Sequence, residues 1–174
     1  MHVIIWLLPI LFMLHDFEEI IMIEAWKQRN RICSTHETNN FLSTKIPYSD
    51  MRSTASFSIG VAIEFFLLSL TSLYSAITGT YYIWFSLMFA VTFHYIIHLK
   101  MCIDCKGYVP GITTAVVFFP IGIAILLYAA RSAGFSFLTL SISIAAGVLF
   151  GVLLIKCLHG LMARFDGWLE QYKG

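Results

Sequence analysis

Apolar residues fill five long stretches of this chain, at about 3–26, 56–76, 81–99, 112–130 and 135–158, with polar residues gathered between them. A helix crosses a bilayer with about 20 predominantly apolar residues, so the pattern predicts an all-α, five-transmembrane-helix bundle. Four links join the spans. The first, 27–55, is the only long one; it is polar, contains Pro47, and carries Phe41, Leu42, Ile46 and Tyr48 suited to the membrane surface. The second is a tight turn at Thr78, Gly79 and Thr80, the third (100–111) holds a Cys-x-x-Cys pair and Pro110-Gly111, and the fourth is a short break at 131–134.

Composition agrees with that pattern. Of the 174 residues, 59% are hydrophobic and 12% charged, and the mean hydropathy is +0.80, as in a polytopic membrane protein; a single transmembrane domain covering 1–174 is expected. The start lacks a basic segment before its apolar run and a small-residue cleavage site, so it reads as the first span. A net charge of +1 and no basic patch interleaved with aromatics exclude nucleic acid as a partner. Every Lys and Arg except Arg131 falls on the side of the first link, the third link and the C-terminal tail. The positive-inside rule therefore sets the N-terminus outside and the C-terminus in the cytoplasm, as expected for the plasma membrane of a prokaryote. Cys33, Cys102, Cys105 and Cys157 then lie at or near a reducing face, where structural disulfides are not expected.

Charge inside the spans changes the picture most. His15-Asp16-Phe17-Glu18-Glu19 lies within the first span, where a central ionisable side chain costs about 2.5–3.5 kcal/mol. His15, Glu18 and Glu19 share one helical face, with Asp16 to one side of it. Glu64 lies in the second span, and His94 and His98 lie one turn apart in the third. Counting about 1.5 Å per residue from the cytoplasmic ends puts His15 at about 16 Å depth, Glu18 and Glu64 at about 12 Å, Glu19 at about 10 Å, His94 at about 9 Å and His98 at about 3 Å. Five of these six occupy one layer in the cytoplasmic half, a placement that hydrogen-bonded interhelical contacts alone do not require.

Such a set suits a divalent metal, either zinc, or iron or manganese in a pair with bridging carboxylates. The expected ligands are His15, Glu18, Glu64, His94 and His98, with Glu19 as the general base that activates a water. Tyr108 is a candidate to donate a proton or orient substrate, and its interfacial position equally suits an anchor. Pro9 and Pro120 predict bends, Pro120 with room for a cavity, and Gly147 and Gly151 form a small-xxx-small pair suited to bundle packing or to an oligomer.

The same residues carry a resemblance. His15-Asp16-Phe17-Glu18-Glu19, Glu64, His94 and His98, and Tyr108-Val109-Pro110-Gly111 leading into Thr113-Thr114 make the chain similar, over nearly its whole length, to the family of small integral membrane proteins named for its H-x-x-E-E motif. That resemblance implies a membrane enzyme whose reaction is not established. The reading is a metal-dependent enzyme, a hydrolase acting on a lipid or another membrane-soluble small molecule at a site facing the cytoplasm. Its alternatives are a di-iron-type membrane oxidase or hydroxylase, a proton-coupled transporter using the same groups as a relay, and a haem-binding protein with His15 and His94 or His98 as axial ligands.

Overall fold

The computed structural model describes residues 1–29 and 53–173. Most of the long polar link, with Cys33, Phe41, Leu42, Ile46, Pro47 and Tyr48, lies outside the described residues. A short 3-10 turn, Ile4–Trp6, leads into α1 (Leu7–Arg29), followed by α2 (Thr54–Thr78), α3 (Tyr82–Asp104), α4 (Ile112–Ser132) and α5 (Phe137–Lys173). The described residues contain no strand.

Each boundary has a local cause. Ser53 caps α2 by accepting a hydrogen bond from the Ser56 amide, and Gly79, in the left-handed region at φ 69°, closes its other end on the Ser75 carbonyl. Pro110 and Gly111 break the chain between α3 and α4, and Gly134 does the same before α5. α5 runs for 37 residues, about 55 Å at 1.5 Å each, well beyond a hydrocarbon core of about 30 Å. The apolar pattern at 135–158 therefore accounts for only part of this helix.

Buried hydrogen bonds fix how the helices align. The Ile5 carbonyl accepts from Ser72 Oγ and Trp84 Nε1, both at 2.8 Å, joining the start of α1 to the late part of α2 and the start of α3. At the opposite end, Ser53 Oγ and Ser56 Oγ donate to Asp166 of α5 at 2.5 and 2.8 Å, and Trp26 Nε1 donates to the Tyr108 carbonyl at 2.6 Å. Hence α1, α3 and α5 run one way, and α2 and α4 the other. α3 packs on α4 and α5, while α1 touches α2, α3 and α4.

Among the described residues, the helices long and apolar enough to cross a membrane are α2, α3, α4 and α5. These four mark an integral membrane protein. α1 is as long as α3, but Asp16, Glu18 and Glu19 interrupt its apolar run, so length and composition give four spans where the sequence pattern predicts five. Gly147 and Gly151 face α3: a Cβ at Gly147 would collide with the Ser86 carbonyl, and one at Gly151 would sit 3.6 Å from Ala90 Cβ. The small-residue pair thus serves packing within the chain.

Candidate metal centre

α1 turns one stripe inward: Leu8, Phe12, His15, Asp16, Glu19, Ile23 and Trp26 are all buried. Apolar positions at both ends of the stripe set the rotation of the helix, and the rotation carries His15, Asp16 and Glu19 into the bundle with them. α3 meets it with buried His98 and half-buried His94.

Four side chains converge. His15 Nε2, His94 Nε2, His98 Nε2 and a Glu19 carboxylate oxygen lie within 4.8 Å of one another. His98 Nε2 is 2.8 Å from His94 Nε2, 3.2 Å from His15 Nε2 and 2.8 Å from Glu19 Oε1. Glu19 Oε1 is 3.4 Å from His15 Nε2 and 3.8 Å from His94 Nε2.

Hydrogen bonds behind two of the rings place a proton on each Nδ1. His98 Nδ1 lies 2.9 Å from the Pro110 carbonyl, which can only accept, so Nδ1 carries the proton and Nε2 of the neutral ring is bare. His15 Nδ1 lies 2.8 Å from Thr114 Oγ1. The single Thr114 hydroxyl proton goes to an acceptor, Glu18 Oε2 at 2.7 Å or the Gly111 carbonyl at 3.2 Å, so this hydroxyl accepts from His15. In neutral rings the Nε2 atoms of His15 and His98 then carry lone pairs, and they face a buried Glu19 carboxylate oxygen 3.4 and 2.8 Å away. Such an arrangement is costly unless a cation lies between them.

The spacing suits a metal ion. Bonds of about 2.0–2.1 Å to nitrogen and oxygen in a tetrahedron put neighbouring ligand atoms about 3.3 Å apart; five of the six pair distances bracket that value and the sixth, His15 to His94, is within 4.8 Å. The group His15, Glu19, His94 and His98 could hold a metal ion. Gly111 closes it from above. Its φ is 82°, and a Cβ there would come within 2.8–2.9 Å of His15, Glu19 and His98, so only glycine lets the backbone lie over the cluster.

Other residues expected at the site are placed differently. Glu18 is outside the four-ligand group. It accepts from the Thr113 and Thr114 amides (3.2 and 2.8 Å), the Thr114 hydroxyl and the Tyr108 hydroxyl (2.8 Å). Gly111 offers no side chain to cap α4, and Glu18 reaches across from α1 to satisfy the exposed amides at the helix N-terminus. Glu19, expected as a base, belongs to the four-residue group that could hold a metal ion. Glu64 is half-buried beside the cluster but not in it. Tyr108 hydrogen-bonds Glu18, not the four ligands; burial, then that bond and the carboxylate charge, push its phenol above the usual range and keep it a donor.

His98, placed shallowest by residue counting, is at the centre of the cluster. α3 continues to Asp104, four residues past the assumed end at Lys100, which adds about 6 Å to its depth. Two further residues contribute. Asp16, to one side of the carboxylate stripe, is 5% exposed and its Oδ2 has no partner among the described residues. Thr114 orients His15. The signal for Asp16 is the apolar stripe of α1, which it continues at four residues from Phe12; Thr114 belongs to the segment that carries the family resemblance, but nothing in its spacing points to His15.

Beside the cluster is a cavity of about 270 Å³ between α1, α2, α3 and α5. His15, Asp16, Glu19, Glu64, His94 and His98 form its polar wall; the rest is almost wholly apolar. α4 does not line it, so the bend expected at Pro120 is not its source.

Comparison with known proteins gives one finding. A family model described as a protein of unknown function with HXXEE motif matches residues 6–125, more than half of the chain. No curated protein and no solved structure matches.

Proposed function

Taking as premise that this chain belongs to the HXXEE-motif family, whose function is unknown, we propose that it is a metal-dependent integral membrane hydrolase acting on a lipid or another membrane-soluble substrate. The observation that carries this reading is the convergence of bare His15 and His98 Nε2 atoms with Glu19 Oε1, completed by His94. A bound zinc, iron or manganese would supply Lewis acidity toward a carbonyl or phosphoryl oxygen. His15, Glu19, His94 and His98 hold it. Thr114 and the Pro110 carbonyl fix the two ring orientations, which keeps the ligands in place without rearrangement. Asp16 and Glu64, in the cavity wall but outside the ligand group, are positioned to take a proton from a reacting group.

α1 is read here as a fifth span. Its outward positions Ile10, Leu14, Phe17 and Ile21 are 48%, 48%, 47% and 71% exposed and form one apolar seam suited to lipid, while its charge is turned inward. The bundle end that bears Lys100, Lys106 and Arg164 faces the cytoplasm on this reading.

One observation favours a second reading. Asp16 and Glu64 bring two further carboxyls to the same cavity, as a dinuclear oxidase or hydroxylase centre would need. Elemental analysis of the purified full chain separates the two: one metal per chain supports the hydrolase, two of iron or manganese the oxidative centre. Metal is expected to disappear in His15→Ala and His98→Ala with helix content retained. No metal in the wild type, or unchanged content in both variants, would defeat both readings.

A further inference from the structure

The cavity beside the cluster is long and narrow. Its lining runs from Phe57 to Leu68 on α2, from Leu87 to Met101 on α3 and from Phe150 to Met162 on α5, which at 1.5 Å per residue is about 16–21 Å along the bundle. That length matches the depth of one leaflet, half of a hydrocarbon core of about 30 Å. A volume of about 270 Å³ spread over that length makes the cavity elongated and narrow, a shape suited to an extended apolar chain.

Most of the polar lining lies along the bore, with His159 near the Met162 end. Leu68, Leu87 and Phe150 form one apolar end, and Phe57, Met101 and Met162 the other. The polar wall lies between them. Asp16, 5% exposed and with an unpartnered Oδ2, belongs to that wall, so a polar group of an occupant would meet an unsatisfied acceptor there. Among the described residues no Lys or Arg lines the bore, which disfavours an anionic headgroup inside it. The lining residues that are exposed, Phe150, Ile155 and His159, are all on α5, so the bore opens along this outer helix.

We propose that this bore binds one unbranched acyl chain of a single-chain amphiphile, lying along the bundle with an uncharged ester or amide linkage beside Asp16, Glu64 and the histidine cluster. The proposal names the substrate class of the centre above and rests on that reading for the role of the linkage; the chain site itself stands on the shape and lining of the bore. Two-chain lipids stay outside, against the apolar seam of α1 and the outer faces of α4 and α5.

The test uses the full chain reconstituted in vesicles of two-chain phosphatidylcholine, with metal measured on the same samples. A photoactivatable unbranched N-acyl amide is compared with a two-chain phosphatidylcholine carrying the same photoactivatable group, and labelled residues are mapped by mass spectrometry. The single-chain probe is expected to label the inner faces of α2, α3 and α5, and the two-chain probe only outward residues such as Leu14 and Phe17. Leu68→Trp and Leu154→Trp narrow the bore at lining positions outside the four-residue group, and each is expected to lower inner labelling at least fivefold with metal content unchanged. Equal inner labelling by both probes, or no loss in either variant, overturns the chain site. Inner labelling in a chain that binds no metal would defeat the enzyme reading and leave the chain site standing; metal without inner labelling would do the reverse.

Discussion

At the scale of single residues the site is held by hydrogen bonds that have no freedom to serve another purpose. Thr114 passes its proton to one oxygen and receives one from His15, so Thr114→Val leaves His15 Nδ1 without an acceptor. Removing such an orienting partner typically lowers metal affinity about 10–100-fold, and Thr114→Ser is expected to restore most of it in a competitive chelator titration. Gly111→Ala is harsher. Its Cβ would press on three ligand side chains in a backbone conformation costing about 1–2 kcal/mol for an L-residue, so loss of bound metal and a lower melting temperature are expected. Wild-type metal content in Gly111→Ala would show that the loop does not lie over the ligands. Glu18 and Glu19 are neighbours with different work. Glu18→Ala strips acceptors from the α4 terminus and should cost about 1–3 kcal/mol of stability while weakening metal binding, whereas Glu19→Ala should abolish binding outright.

Among the elements, α1 shows how much of the site the sequence makes legible. His15, His94 and His98 stand out because imidazoles are expensive in an apolar span; depth brings His15 and His94 together, whereas His98 is linked to them only by its one-turn spacing from His94. The choice between Glu18 and Glu19 does not, because both fit a face about 100° wide drawn through His15. The wider stripe from Leu8 to Trp26 decides it, and Glu18 lies at its edge, where α4 offers two unpaired amides. A cap supplied by another helix has no local sequence signature. The same holds for α5, whose polar end could pass for a loose tail. Asp166 pins it to Ser53 and Ser56 at the start of α2, so Asp166→Ala is expected to lower the melting temperature through about 1–3 kcal/mol of lost buried hydrogen bonding, with metal content unchanged. An unaltered melting temperature would mean that the end of α5 does not dock on α2.

For the molecule as a whole, the helices and their order are readable from hydropathy because each buries its own backbone hydrogen bonds. The number of spans is less so, since α1 trades apolar residues for the site it carries. A cation held by α1 and α3 together, closed over by the loop that starts α4, would stabilise this charged helix among four apolar ones. Metal should therefore hold together elements far apart in the sequence, and chelation should lower the thermal stability of the whole bundle, by about 2.7 kcal/mol relative to a site kept at one hundred times its dissociation constant. X-ray absorption at the edge of the bound metal tests the centre most directly. Three imidazole nitrogens and one carboxylate oxygen from the protein at about 2.0–2.1 Å, lost together in His98→Ala, are predicted; sulfur at about 2.3 Å, as Cys102 and Cys105 would give, or no metal edge in the wild-type protein, would contradict it.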